Sequence, residues 1–560
     1  MKRDVNALAR GKFDLVIIGG GINGIACARD AALRGLRTAV IECADFGGQT
    51  SSNSAKIAHC GMRYLQHLDI KRMRESIRER TAFHQLAPHL VESQPFLMPL
   101  YGHGLKGKET LSIYLKLYDW LSPERKRFED EYRHVPDSGI LSKEKVTELV
   151  PGIDPEKLTG GAYWFEGQMQ NTERLSLSLL KSAAENGAHL ANYTQVLRIS
   201  NQGNKIDGVT VKDLFTDEEF FVSSRYVLNA AGPWANRIFD LCELDFKDHG
   251  IYASKAFSLL TRPVIGNYAL TFPIRPMYED KKAVVNKKSS LQFAIPWRSK
   301  TMFASLHLPC DEDPENVTIT DSEIHTYIER INEGFPGRNL ERKDVHHVLW
   351  GIIPAEEKGS AAPLKQYKII DHEKEEGISG IGTVVGVKYT TSRDVAEKTI
   401  DMVVKQLGEV TSLKQCQTKK TSVWGGDIAF YNQFVGEIFT TYSGRLPEKI
   451  LKNLIKTYGT KMHEIMHLID SNPTLAEPLP NSMVIGAQVI YAIRHEIAHM
   501  LSDVVLRRTD LGSHQYPGTD SLKACASLMA DELGWDQNRI QTEIEAVKNA
   551  YIVLPTAEDA

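Results

Sequence analysis

Three glycines, Gly19, Gly21 and Gly24, stand at the spacing G-x-G-x-x-G directly after the apolar run Leu15 to Ile18. At this spacing the first glycine permits a tight turn, the second lets the backbone approach a pyrophosphate, and the third lets a helix pack closely on a strand. Ile22 and Asn23 open the Ala-rich helix that follows, and the unpaired N–H groups and positive dipole end of such a helix suit phosphate oxygens. Gly35 closes the helix near Arg34, a second strand runs from Thr38 to Ile41, and Glu42 ends it. A carboxylate there can accept both hydroxyls of an adenosine ribose and repels a 2′-phosphate, which disfavours NADP. Strand, turn, helix, strand and acid at these offsets predict a site for the ADP half of a dinucleotide, with NAD and FAD both open.

Two further stretches carry chemistry. The segment Gly47-Gly-Gln-Thr50-Ser51-Ser52-Asn-Ser-Ala-Lys56 supplies hydroxyl and N–H donors suited to a ribityl-phosphate chain, although a solvated loop has the same composition. Near residue 390, Gly386-Val-Lys388-Tyr-Thr390-Thr391 precedes a helix expected over 394–407. A lysine and a threonine pair at a helix N-terminus make a place for negative charge.

Two H-E-x-x-H pentapeptides, His463 to His467 and His495 to His499, offer a different chemistry. On a helix, each would put two imidazoles on one face beside a glutamate base, as in zinc peptidases. Neither has a third ligand at metzincin spacing, and charged helix faces usually point to solvent. No metal-ligating set is therefore assigned.

The elements that position these residues follow from the rest of the chain. At 560 residues, length alone suggests roughly three or four domains. The composition, 42% hydrophobic and 25% charged, is that of a soluble globular protein, and a net charge of −4 gives no reason to expect nucleic acid. Seven scattered cysteines without a C-x-x-C pair fit a reducing compartment, so a cytoplasmic location is expected. No signal peptide or membrane span is expected; peripheral contact with the cytoplasmic face of a membrane stays compatible with the sequence. A charged amphipathic helix is expected over 66–87, a strand pair around 192–222, and alternating strands over 250–310. The run Arg225 to Trp234 contains Ala230-Ala231-Gly232, small residues that let backbone touch a ligand. Beyond about residue 410 the chain turns helical and polar.

The assembled stretches resemble the FAD-dependent glycerol-3-phosphate dehydrogenases. The motifs are Gly19-Gly-Gly-Ile-Asn-Gly24, Thr50-Ser-Ser with Lys56 and His59, Gly61-Met-Arg-Tyr-Leu65, Ala231-Gly-Pro-Trp234, Ile295-Pro-Trp297, Lys388-Tyr-Thr-Thr391 and Leu506-Arg-Arg-Thr509. The resemblance implies an α/β, Rossmann-like FAD-binding domain over 12–95, 155–235 and 345–408. It implies an inserted antiparallel-sheet substrate domain (α+β) over 96–154 and 236–344, and a C-terminal helical domain over 409–560. FAD is then the cofactor, held by Gly19, Gly21, Ile22, Asn23, Gly24, Glu42, Thr50, Ser51, Ser52, Lys56, Gly61, Val196, Ala231, Gly232, Lys388 and Thr390. The implied reaction is oxidation of a secondary alcohol by hydride transfer to flavin N5, with electrons passing to a quinone or oxygen; a homodimer is compatible with the resemblance.

At the substrate end the resemblance implicates Arg63, Tyr64, Lys388, Ser258 and His59. Arg63 is the expected anion binder, and Lys388 is expected to stabilise reduced flavin. Two positions depart from the family. Its histidine proton acceptor corresponds to Ser258, and its phosphate-gripping arginine corresponds to Ile353 in Gly351-Ile-Ile-Pro354. His307 or His59 can supply a base, and each can equally be a structural histidine. Glycerol 3-phosphate, another polyol or polyol phosphate, and a flavoprotein without this chemistry are the alternatives.

Overall fold

The computed structural model describes residues 1–62, 64, 69–103, 107–275, 277, 290–408 and 413–552. Its first sheet has six strands in the order Lys368–Asp371, Ile381–Val385, Val227–Asn229, Leu15–Ile18, Thr38–Ile41, His189–Ala191. Every pairing is parallel except that of the edge strand Lys368–Asp371. Leu15–Ile18 and Thr38–Ile41 are buried at every residue, as a parallel sheet covered on both faces requires. One cover is helical: Ile22–Arg34 packs between Thr172–Glu185 and Ser392–Leu407. The other is a four-stranded sheet, Lys12–Phe13, Glu219–Ser224, Lys205–Asp213 and Thr194–Gln202. Its Val196, Ile199, Ile206 and Val209 share a core with Val16, Ile18, Ala39 and Ile41.

The second large sheet has nine strands. Eight run Val345–Ala355, Tyr252–Thr261, Lys300–Cys310, Ser290–Trp297, Ala269–Ile274, Val91–Tyr101, Leu158–Met169 and Ile57–Ala58, and Gly139–Leu141 joins Leu158–Met169. All its pairings are antiparallel but one, Ala269–Ile274 beside Val91–Tyr101, so the sheet is mixed. Helix Asp321–Gly334, started by a capping box between Thr320 and Glu323, buries Ile324, Tyr327, Ile328 and Ile331 against one face.

The expected domain edges shift accordingly. Residues 91–95, 158–169 and 345–355 were expected in the FAD-binding unit but hydrogen-bond into the nine-stranded sheet. The turn signals mark where a strand begins, and only long-range pairing decides which sheet it joins.

The C-terminal segment is helical, and Tyr431–Tyr442, Glu448–Tyr458, Met462–Ser471, Gly486–Glu496, Thr519–Leu533 and Gln537–Asn549 enclose two cores of their own. Buried ion pairs tie it to the six-stranded sheet and its covering helix Thr172–Glu185. Arg174 donates to both carboxylate oxygens of Glu496 at 2.7 and 2.5 Å. Asp45 receives Arg507 and Arg508.

That clamp explains one H-E-x-x-H. Glu496 is fully buried as the counter-ion of Arg174, and the helix ends at this residue, with Ile497 left-handed at φ 56°. His495 and His499 therefore do not share the helical face that the pentapeptide suggested. In the other pentapeptide His463 and His467 are both exposed, and Glu464 accepts from Tyr491. Among the described residues no helix is long and apolar enough to cross a membrane.

Candidate active site and cofactor cavity

A cavity of about 580 Å³ opens where the carboxyl ends of the parallel strands meet the nine-stranded sheet. Its glycines play separate parts. Gly19 sits at φ +106°, and a Cβ there would lie 2.6 Å from the Ala230 carbonyl oxygen. A Cβ on Gly24 would lie 2.0 Å from the Gly19 carbonyl oxygen. These two are therefore demanded by the packing of strand on helix. Gly21 caps the helix and borders the cavity, where a Cβ would meet only Ser51 Oγ at 3.4 Å, so the backbone is left bare towards the space.

Glu42 lines the cavity at the tip of its strand. Its Oε2 accepts from the Gly20 amide at 2.6 Å and its Oε1 from the Ala44 amide at 2.9 Å. Burial pushes its carboxyl above the ordinary value, and those two amides oppose the shift. Ser51 Oγ accepts the Ile22 amide at 2.9 Å, and Thr50 donates to the Ile352 carbonyl at 2.8 Å. The second of these bonds fixes the Gly47–Lys56 loop against the other sheet.

Of the residues expected at the cofactor, Gly19, Gly21, Ile22, Asn23, Glu42, Thr50, Ser51, Val196, Ala231, Gly232 and Lys388 line this cavity. The others do not. Gly24 lies beneath the turn, and Ser52 donates its hydroxyl back to the Gly47 carbonyl. Lys56 is fully buried, with Nζ 2.5 Å from Glu173 Oε1 and 2.8 Å from the Ser52 carbonyl. An ammonium enclosed this way is a counter-ion for Glu173, so its side chain braces the loop from behind. Gly61, at φ +81°, turns the chain under the Tyr64 ring. Thr390 is buried, and its Oγ1 accepts the His59 amide at 3.1 Å.

A smaller chamber of about 150 Å³ adjoins the cavity, sharing Ala55, Ser305 and His307 with it. His59, Gln292 and Phe293 complete its main walls. His59 packs at a tilt against Phe293 with ring centroids 5.4 Å apart, and its Nδ1 lies 3.9 Å from Glu166 Oε1. Ser258 is buried behind the wall, its hydroxyl 2.9 Å from that of Ser305. Ile353 borders the larger cavity. Lys388 Nζ sits 4.1 Å from the centroid of the Tyr64 ring, within cation–π range. Arg63 lies outside the described residues. Among the described residues lining the small chamber there is no lysine or arginine.

Gln292 carried no motif, and Ser305 stands in Ala304-Ser-Leu-His307, which departs from the Gly-Thr-Thr-Asp of the family it resembles. Alternation offered a signal for Ser305, since it and His307, two apart on Lys300–Cys310, face the same way. Gly386 is likewise explained only by the fold, because a Cβ there would lie 2.1 Å from Asn23 Nδ2.

The chemistry of the walls fits FAD. Asn23 Oδ1 is buried with no protein partner, bare backbone borders the space at Gly21 and Gly232, and the helix N-terminus aims into it. An acid, Glu42, borders the same cavity at the end of the second strand. Comparison with known proteins agrees. A family model described as FAD dependent oxidoreductase matches residues 14–377, and one described as the C-terminal domain of alpha-glycerophosphate oxidase matches 416–540. The glycerol-3-phosphate dehydrogenase of Synechocystis is 30% identical over 95% of this chain and 95% of its own. The aerobic glycerol-3-phosphate dehydrogenase of Staphylococcus aureus is 30% identical over 97% of this chain and 95% of its own. The Bacillus halodurans glycerol-3-phosphate dehydrogenase, solved with FAD, shares the fold at TM-score 0.74 and 23% identity, covering 97% of this chain and 95% of that one. The chain belongs to the FAD-dependent oxidoreductase family, among its glycerol-3-phosphate dehydrogenase members.

Proposed function

We propose that the protein oxidises the secondary alcohol of glycerol 3-phosphate or a closely related polyol, with the small chamber holding the carbinol. The observation that carries this is the placement of His307, which borders both the cofactor cavity and the chamber. Bound FAD supplies the two-electron acceptor for the hydride that leaves the carbinol carbon. The chain's own task is to orient the C–H bond and take the hydroxyl proton.

His307 is the proton acceptor in this scheme, and Ser305, two residues before it, orients the alcohol. The family's histidine position is Ser258, on the strand paired with Lys300–Cys310, and the imidazole is here supplied from that neighbouring strand. His59 is a second candidate, with the Glu166 carboxylate behind its ring. Lys388, beside Tyr64, supplies positive charge to the cavity, with the helix Ser392–Leu407 beginning four residues later. A quinone or oxygen takes the electrons onward.

A non-phosphorylated polyol is the second reading. It is favoured by Ile353 and by the absence of lysine and arginine from the described chamber lining, since a phosphate dianion needs a charged partner. Anaerobic titration of the holoenzyme decides between them. Flavin absorbance is expected to bleach with glycerol 3-phosphate or with glycerol and other polyols, and His307→Asn to slow bleaching by about 10²–10⁴-fold. Failure of every polyol and polyol phosphate to bleach the flavin would remove the dehydrogenase assignment.

A further inference from the structure

On the far edge of the six-stranded sheet, away from the cavity, a second set of chemically capable side chains converges. The edge strand Lys368–Asp371 runs directly into the short helix His372–Glu376, which Asp371 caps and the left-handed Gly377 ends. His372 and Glu376, four apart, lie on one face of that turn. A third residue, His249, comes from the loop before Tyr252–Thr261. That loop is pinned to the same strand by Lys368 Nζ, which donates to the His249 and Gly250 carbonyls at 2.7 and 2.9 Å. Phe239 and Phe246 wall the site, each packing edge-on against His372.

The donor atoms of His249, His372 and Glu376 all lie within 4.8 Å of one another, and they form the one such group of three among the described residues. His372 Nδ1 is 3.2 Å from Glu376 Oε1. Two ligands on a tetrahedral ion with bonds of ~2.0 Å stand ~3.3 Å apart, so this spacing already matches an edge of such a site. Glu376 Oε1 faces both imidazoles, and one further valence, at Oε2, is unmet by protein. Glu376 Oε2 is buried with no hydrogen-bond partner, and His249 Nε2, although against Glu376 Oε1, lacks hydrogen-bond geometry to it. A buried carboxylate oxygen without a partner is costly unless something is bound to it.

The outer groups are also in place. His372 Nε2 lies 2.9 Å from Thr383 Oγ1, and donation to that hydroxyl leaves the Nδ1 lone pair aimed at the centre. His249 Nδ1 lies 3.6 Å from Glu375 Oε2, which can orient the second ring in the same way. Metal-ligating histidines characteristically hold their distal nitrogen like this.

We propose that His249, His372 and Glu376 form a structural site for a divalent transition-metal ion, with zinc the best chemical match. Two imidazoles and a carboxylate suit a borderline ion, and water fills the fourth position. The ion staples the loop around 240–251 to the cofactor sheet. That loop begins beside Ile238 and Leu241, which line the cofactor cavity, so the site steadies one cavity wall from behind.

The test is a titration of chelator-stripped, FAD-loaded full chain with Zn²⁺ by calorimetry, paralleled by Co²⁺ and its visible spectrum. The expected result is one saturable equivalent per chain and the visible bands of a tetrahedral Co²⁺ site. Both are lost in His249→Gln, whose side chain lies in a loop and whose loss the fold tolerates better than that of His372. Thr383→Val, which touches no ion, is expected to weaken binding by about 10–100-fold. His463→Gln/His495→Gln, which alters both H-E-x-x-H pentapeptides, is expected to bind as the parent does. No saturable binding, or binding unchanged in His249→Gln, would overturn the proposal and leave two imidazoles sharing a carboxylate.

Discussion

The two ends of the cofactor cavity are built in opposite ways. At the nucleotide end the wall draws on segments within residues 18–55, with Gly19, Gly21, Gly47 and Gly48 among the residues that border it. Gly19 and Gly24 are set by clashes with neighbouring carbonyls rather than by the ligand, and the acid is held by one amide of the glycine turn and one of its own loop. At the substrate end the small chamber takes Ala55 and His59 from one segment, Gln292 and Phe293 from a second, and Ser305 and His307 from a third. Those segments meet only because distant strands pair. A wall of backbone tolerates little change of sequence, whereas a wall of side chains on paired strands can exchange one functional group for another in place. In the proposed scheme the serine at position 258 and the histidine at 307 are such an exchange.

Gly24→Val presses hardest on the nucleotide end. The new Cβ would stand 2.0 Å from the Gly19 carbonyl, overpacking that costs at least about 1–3 kcal/mol. The turn must open to accept it. The variant should purify without flavin absorbance, and normal FAD content would show that the turn is more pliant than its packing implies.

Next in its effect on cofactor binding is the clamp that supports the same end. Arg174 belongs to the helix whose Thr172 carbonyl receives the hydroxyl of the cavity residue Tyr389. Glu496→Ala leaves Arg174 and Lys181 buried and unpaired, which should cost about 3–5 kcal/mol in denaturant unfolding. Burial alone would raise the Glu496 carboxyl, but Arg174 and Lys181 hold it down at about 2. A depressed carboxylate stabilises the fold fully above its unfolded value, about 4.5, and loses that contribution as pH falls towards 2. The parent should therefore lose stability across that acid window, and Glu496→Ala should lose less. An identical acid slope in both proteins would mean that the clamp does not couple the domains.

The smallest effect is expected at the substrate end. Ile353→Arg places a guanidinium at the cavity edge and should tighten glycerol 3-phosphate by about tenfold or more, measured from the substrate dependence of flavin bleaching. No change would show that the phosphate is already held by cations elsewhere, and that the two ends differ less than their described linings imply.

Legibility in the sequence followed the same division. Gly19, Gly21, Glu42, Thr50, Ser51, Gly232 and Lys388 were all nameable from motifs and all line the cavity. Lys56 stood in the same motif, yet its ammonium is spent on Glu173, because a buried cation takes the nearest carboxylate and sequence spacing does not show which side of a loop it faces. His372 and Glu376 stand four apart, but nothing in the sequence joins them to His249, which lies on a loop more than a hundred residues away.

What the sequence determined by itself is the ADP-binding turn, the family to which the chain is similar and the helical character of the C-terminal region. These rest on local rules: dihedral freedom at glycine, hydrophobic periodicity and short spacing along one strand–helix unit. The tertiary structure alone decided which sheet the strands at 91–101, 158–169 and 345–355 join, and that His307 borders both chambers. It also decided that the glutamate of one H-E-x-x-H is a buried counter-ion. Those outcomes depend on contacts between residues far apart in the chain, whose partners are chosen by burial and by the pairing of charges, and neither is written in the spacing of neighbours.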